Sequence, residues 1–346
     1  MFYLVLLFHI FKKKGDIKVK NKLKHLIGFV LIAILTLSLI NNPLTKSYFS
    51  QLKTDAEYIP TKQNDLYDYI VKVAKNYSIK PKDAVNDRVW KATPGYNGVE
   101  VDIKASYHNM KKDGKFDENK LVYKQISPKV HIKDLPPAPI YRGNPDKPMV
   151  SFLINVAWGN EFLQPILKTL KDNSIHATFF LEGRWVKENP ELAKMIVDSG
   201  HEVGNHSFTH PDMKVLSADR IREQLINTNQ VINATTGVQV RLFAPPSGSY
   251  RDEVVKIAHS MNLKTIMWSV DTVDWQKPSP ETIVTRVMSK IHPGALILMH
   301  PTDSTEKSLQ QLINEIKKKH LRIGTVSKLM DEERIIKMND GKLKND

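Results

Sequence analysis

From residue 147 onward, short apolar runs alternate with longer amphipathic stretches, a rhythm that predicts β-strands separated by α-helices. Strands are predicted at 148–156, 176–181, 201–205, 240–244, 264–270, 295–299 and 321–325. Helices are predicted between them, at 162–173, 190–199, 218–235, 252–261, 280–291 and 304–318. Two helix starts are well marked: Ser217 precedes Ala218 as a cap, and Ser279 caps a helix with Pro280 at its first position. Regular β/α alternation places the domain in the α/β class, with parallel strands wrapped by helices. About seven such units favour a deformed (β/α) barrel, closed or nearly so, over an open sheet. Chemistry in such barrels gathers in the loops after the strand C-termini.

The amino-terminal part has a different texture. Leu26 to Thr45 carries no charge over 20 residues, a length of about 20 apolar residues being enough to cross a bilayer as a helix. Lysines precede it, so the expected topology is a single-pass signal-anchor with a basic cytoplasmic segment at 1–25 and the rest outside the cell. Secretion after cleavage of a signal peptide is the alternative. The long lead-in before Leu26 and the lack of a clear small-x-small site favour the uncleaved anchor. Residues 46–64 are polar and read as a stalk. From Asp65 an amphipathic helix is expected, with Leu66, Ile70, Val73 and Ala74 on one face. Thr93 to Gly98 is dense in turn formers and leads into an alternating strand, Val99 to Ile103, so 65–134 reads as a small α+β module. Leu135-Pro136-Pro137-Ala138-Pro139 opens a stiff linker, 135–146. The barrel then occupies 147–330, and 331–346 is a polar tail.

Charge and composition narrow the function classes. The chain has 51 Lys and Arg against 37 Asp and Glu, a formal +14. Seven lysines against Asp16 put +6 of this in residues 1–25, and the rest is spread without a basic, aromatic-interleaved stripe. Nucleic acid is therefore not the expected partner; an anionic wall or membrane surface is. The absence of cysteine rules out disulfides and thiolate metal sites.

Several polar clusters fall at predicted strand ends. His206-Ser207-Phe208-Thr209-His210 can direct two imidazoles at one borderline metal such as zinc, although such a pair also caps, packs or faces solvent in many proteins. Two imidazoles make a poor site without a third ligand, normally a carboxylate. Asp274-Trp275 pairs a carboxylate, able to orient a histidine, with a flat ring suited to a sugar; a helix-capping aspartate beside a packed tryptophan is the simpler account. His300 closes a strand, where it can act as a general acid or merely bond to a neighbour. Phe243 to Gly248 is a rigid Pro-Pro turn whose Ser247 N–H can face an oxyanion, or which simply redirects the chain.

Taken in order, Ile154-Asn155-Val156-Ala157-Trp158-Gly159, His206 to His210, Phe243 to Gly248, Asp271 to Trp275 and Leu298-Met299-His300 resemble the five motifs of the NodB-homology polysaccharide deacetylases, carbohydrate esterase family four. Ala177 to Phe180, Gly200 to His206 and Met267 to Asp271 are similar to that family as well. The resemblance spans about 147–330. With the preceding module, the chain most resembles the sporulation-associated deacetylase-like proteins of bacilli. It implies a metal-dependent hydrolase of N-acetyl groups on N-acetylglucosamine or N-acetylmuramic acid units, with cell-wall glycan as partner and a divalent ion, zinc among the candidates, as cofactor. It further implies that His206 and His210 are metal ligands, Asp274 holds the general acid His300, and Trp275, Leu298 and Ser247 line the substrate groove. Two adjacent aspartates, base and metal ligand, are implied where Ala157 and Trp158 stand, and a base-positioning arginine where Ala244 stands. The resemblance thus implies an incomplete metal site and leaves both hydrolysis and its loss open, with Asp212, Glu161 and Asp303 as candidate substitute acids. The alternative to a deacetylase is a pseudoenzyme that binds glycan or a partner through the retained groove.

Overall fold

The computed structural model describes residues 27–34, 36–38, 42–43, 45–47, 63–336, 338–339 and 342–343. It divides into two compact units, 1–66 with 113–115, and 67–112 with 116–346. In the first, residues 27–34, 36–38 and 45–47 are helical. Among the described residues no helix is long and apolar enough to cross a membrane. The anchor expected at 26–45 falls partly outside them, and the cytoplasmic segment 1–25 wholly so.

The second unit is built on an eight-stranded, all-parallel sheet. Its strands are β1 (Met149–Val156), β2 (Thr178–Leu181), β3 (Glu202–Asn205), β4 (Leu242–Phe243), β5 (Lys264–Thr265), β6 (Val270–Asp271), β7 (Leu296–Met299) and β8 (Arg322–Gly324). The order is β6-β7-β1-β2-β3-β4-β5, with β8 pairing the first residues of β1. All eight residues of β1 are buried, as a parallel strand covered on both faces requires. Its side chains alternate between two cores. Val150, Phe152, Ile154 and Val156 join the layer under the helices, whereas Leu153 packs inside the barrel with Phe180, Leu242, Ile266 and Leu296.

The helices are α1 (Asn160–Asp172), α2 (Gly183–Glu188), α3 (Pro190–Asp198), α4 (Ala218–Thr236), α5 (Asp252–Ser260), α6 (Pro280–Lys290), α7 (Asp303–Lys318) and α8 (Val326–Met330). Both expected caps are in place, Ser217 accepting from Arg220 N and Ser279 from Thr282 N. The strand expected at 264–270 is instead two short pieces. Ile266 N donates to Phe243 O at 2.8 Å, but Ser269 N donates to Leu296 O at 3.0 Å, so one segment changes neighbour and joins the two edges of the curled sheet. Ile140 fills the break: its N–H donates to Thr265 O and its carbonyl accepts from Met267 N.

That contact shows what residues 135–146 do. The segment is extended, buries Ile140, pairs Arg142 with Ala295 and fixes Asn144 to Pro94 O at 3.0 Å. The module before it contains the helix Gln63–Val73, the strand pair Gly98–Val101 and Tyr123–Ile126, and the helix Ile103–Met110 capped by Asp102. The start of the tail, 331–335, straps this module down. Asn97 N donates to Glu332 O, Arg334 Nε to Asn97 O, and the Arg334 guanidinium lies 4.0 Å over the Tyr96 ring. Lys147, fully buried, anchors the same strap through Lys328 O, Asp331 O and Asp331 Oδ1, each at 2.7 Å.

Candidate active site

All the implied site residues lie at the carboxyl ends of the barrel strands. After β3 the chain turns sharply, with Ser207 and His210 in left-handed conformations (φ 63° and 55°). Buried Asn205 holds this turn, accepting from Ser207 N while its amide donates to Leu225 O and Asn229 Oδ1. The result brings the rings of His206 and His210 to 5.0 Å, edge to face. His206 is buried and its Nδ1 donates to Ala244 O at 2.8 Å, leaving Nε2 with a free lone pair. Burial, reinforced by His210 and His300, pushes His206 down to about 3; burial and His300 also lower His210. Both are neutral near pH 7, the state a metal ligand needs.

The second pair is fully formed. Asp274 is completely buried in a short 3-10 turn; its Oδ1 accepts from His300 Nδ1 at 2.8 Å. Its Oδ2 accepts from His300 N and from Thr305 Oγ1, both at 2.6 Å. Val273 precedes it at φ 53°, an unfavourable conformation for a β-branched residue, of the kind that collects at functional sites at a cost of about 1–3 kcal/mol. Both oxygens of Asp274 are therefore committed to orienting His300 and its loop.

At the end of β1, Ala157 offers no polar atom, and Trp158 lies parallel to the His300 ring, 8° apart with centroids at 5.9 Å. Gly159 allows this approach. It is left-handed (φ 82°), and a Cβ there would overlap the carbonyl oxygen of Pro301, the residue after His300. Leu298 is buried, Ala244 is buried with its carbonyl on His206, Ser247 is exposed in a left-handed conformation (φ 52°), and Trp275 is exposed beside Asp274.

Comparison with known proteins places these residues in a lineage. A family model described as polysaccharide deacetylase matches residues 142–266. A Bacillus subtilis relative, the uncharacterized protein YlxY, is 51% identical over 309 residues, covering 89% of this chain and 97% of the relative. The chain belongs to the polysaccharide deacetylase family. Among solved structures, a CE4 family pseudoenzyme from Bacillus anthracis is 58% identical with a TM-score of 0.73, covering 78% of this chain and 96% of that one. A mutant of that pseudoenzyme with restored enzymatic activity matches equally well, at 57% identity and the same TM-score. The peptidoglycan-N-acetylmuramic acid deacetylase PdaA of Bacillus subtilis is 31% identical, over 56% of this chain and 75% of its own length.

The family's chemistry depends on a divalent metal, and the residues present do not fit one. Two imidazoles converge, but among the described residues no group of three or more His, Asp or Glu can hold an ion. Trp158, at the position where the family resemblance implies the third ligand, offers only an indole. Of the acids expected as stand-ins, Asp212 and Asp303 are engaged elsewhere and Glu161 faces solvent. Asp212 is bonded to Ser249 Oγ and Lys214 N, Glu161 is exposed in the first turn of α1, and Asp303 pairs with Lys307. What the site retains is an oriented histidine, two neutral imidazoles and two exposed indoles. The family order of motifs locates each of these in the sequence; the stacking of Trp158 on His300 has no signal there.

Proposed function

We propose that this chain is a cell-surface member of the polysaccharide deacetylase family that binds amino-sugar polymer of the cell wall and has lost its hydrolysis. The observation that carries the reading is Trp158 stacked on His300 beside Ala157. Asp274 still orients His300 as a proton donor, but a donor alone cannot generate the attacking water. A general base contributes about 10²–10⁴-fold to such reactions. With neither base nor complete metal site, both means of activating water are missing. The relatives named as peptidoglycan deacetylases support wall glycan as the ligand, and the pseudoenzyme with its reactivated mutant supports the loss of turnover. The apolar run at 26–45 completes the proposal as an anchor that keeps the barrel outside the cell, so the chain belongs in the washed-membrane fraction rather than the medium.

Acetate release from peptidoglycan and chitin oligomers, with Zn²⁺ added, tests the proposal. The expected result is no release above background by the native chain, and release after joint Ala157→Asp and Trp158→Asp substitution. Native release that His300→Ala abolishes overturns the loss of hydrolysis.

A further inference from the structure

The substitution that removes the third metal ligand also creates something. Trp158 is 46% exposed and Trp275 is 55% exposed, at a mouth where His206, Asp274 and Leu298 are buried, His300 is half-buried and His210 and Ser247 are exposed. Trp275 adjoins Asp274 in sequence, and Trp158 lies on the ring that Asp274 holds. The Trp158 ring lies parallel to the His300 imidazole and offset from it, with nearly half of the residue exposed, so its orientation is favoured before any ligand arrives. Large exposed aromatic surface is costly to maintain in water and commonly marks a binding site. A rigid indole provides contact area with little conformational entropy to lose.

The chemistry of such a shelf selects its ligand. A pyranose with equatorial substituents is apolar on its faces, where axial C–H bonds project, and polar around its edge. An indole matches the face, while the nearby, more accessible imidazoles of His210 and His300 can meet edge hydroxyls or an N-acetyl group.

We propose that Trp158 is a sugar-binding residue: its free indole face stacks on one ring of an N-acetylated amino-sugar polymer, and the mouth holds this glycan without a metal ion. The inference rests on the glycan-binding reading above and adds to it the residue responsible and the independence from metal. Where the family would place a carboxylate that draws an ion into the site, this chain places the surface that replaces the ion's contribution to binding.

The test is titration of the purified full-length chain with chitotetraose, four β-1,4-linked N-acetylglucosamine units, followed by tryptophan fluorescence and calorimetry in excess EDTA. The native chain is expected to bind in EDTA with an affinity that Zn²⁺ does not raise. Trp158→Ala is expected to weaken binding at least about tenfold, and Trp158→Phe, which keeps a flat ring, by about threefold or less. The half-exposed position makes unfolding by either variant readily checked by thermal melting. Native binding in EDTA that Trp158→Ala leaves unchanged overturns the role of Trp158 while the glycan-binding reading stands. Binding only with added Zn²⁺ overturns the independence from metal. No binding by the native chain under any condition overturns the glycan reading itself, and the inference falls with it.

Discussion

At position 158 the side chain does more than leave out a carboxylate, since its ring lies parallel to the imidazole of His300, which Asp274 holds. Ala244 stands where the family resemblance implies an arginine. An arginine there would have no anion to orient, and an unpaired buried charge is costly, so its replacement by a small residue whose carbonyl still fixes His206 removes a liability. Gly159 is the residue that makes the arrangement geometrically possible. Gly159→Ala must relieve a left-handed φ and an overlap with the backbone of Pro301 together, and neither can be solved by moving a side-chain tip. Expected is a stability loss of about 2 kcal/mol or more, beyond the strain of the dihedral alone, read as a lowered thermal midpoint.

Individual elements were legible from the sequence to different degrees, and the differences have physical causes. The long helices carry strong apolar periodicity and marked caps, and Ser217 and Ser279 begin them as read. Helices α2 and α8 were missed because six and five residues are too few to establish a period. The segment 264–270 reads as one strand because its composition is uniform; its division into β5 and β6 depends on Ile140, more than 120 positions earlier, taking the hydrogen bonds between them. The histidine, aspartate and tryptophan positions of the site were placed by motif order. The contact of Trp158 with His300 was not, since it depends on how closely the ends of β1 and β7 approach. One further element has a measurable pH response. His201, just before β3, is buried and accepts Ala177 N–H at Nδ1; burial, then His176, pushes it down from 6.5 to about 4. The unfolded chain therefore binds the extra proton between these values, so this contribution to stability is intact above about 6.5 and falls as pH drops toward about 4. Thermal melts across that window should show a declining midpoint, with a shallower decline in His201→Gln.

For the whole molecule, residues 135–146 and 331–335 act as fasteners between module and barrel, although composition alone suggests a linker and a tail. Pro-rich and charged stretches look solvated until their partners are known, and the partners here are Thr265, Met267, Tyr96 and Asn97. Lys147 is the central fastening. Lys147→Met removes the donor for two carbonyls and the Asp331 carboxylate. Loss of one member of a buried pair costs about 3–5 kcal/mol; Asp331, 35% exposed, can rehydrate, so about 2–3 kcal/mol is expected here. The same variant should be cut faster by trypsin after Lys328 and Arg334, with the native chain resistant under matched conditions.

The buried ammonium of Lys147 also sets a timetable. Its acceptors come from residues 328–331, as many as 184 positions later, and β1 likewise takes part of its pairing from β8. At roughly 5–20 residues per second of synthesis, Lys147 exists for about 10–40 s before the groups that neutralise it. During that interval the first strand of the barrel cannot bury its neighbourhood without stranding a charge. Final burial of Lys147 beneath the barrel is therefore expected only once residues 328–331 have been made.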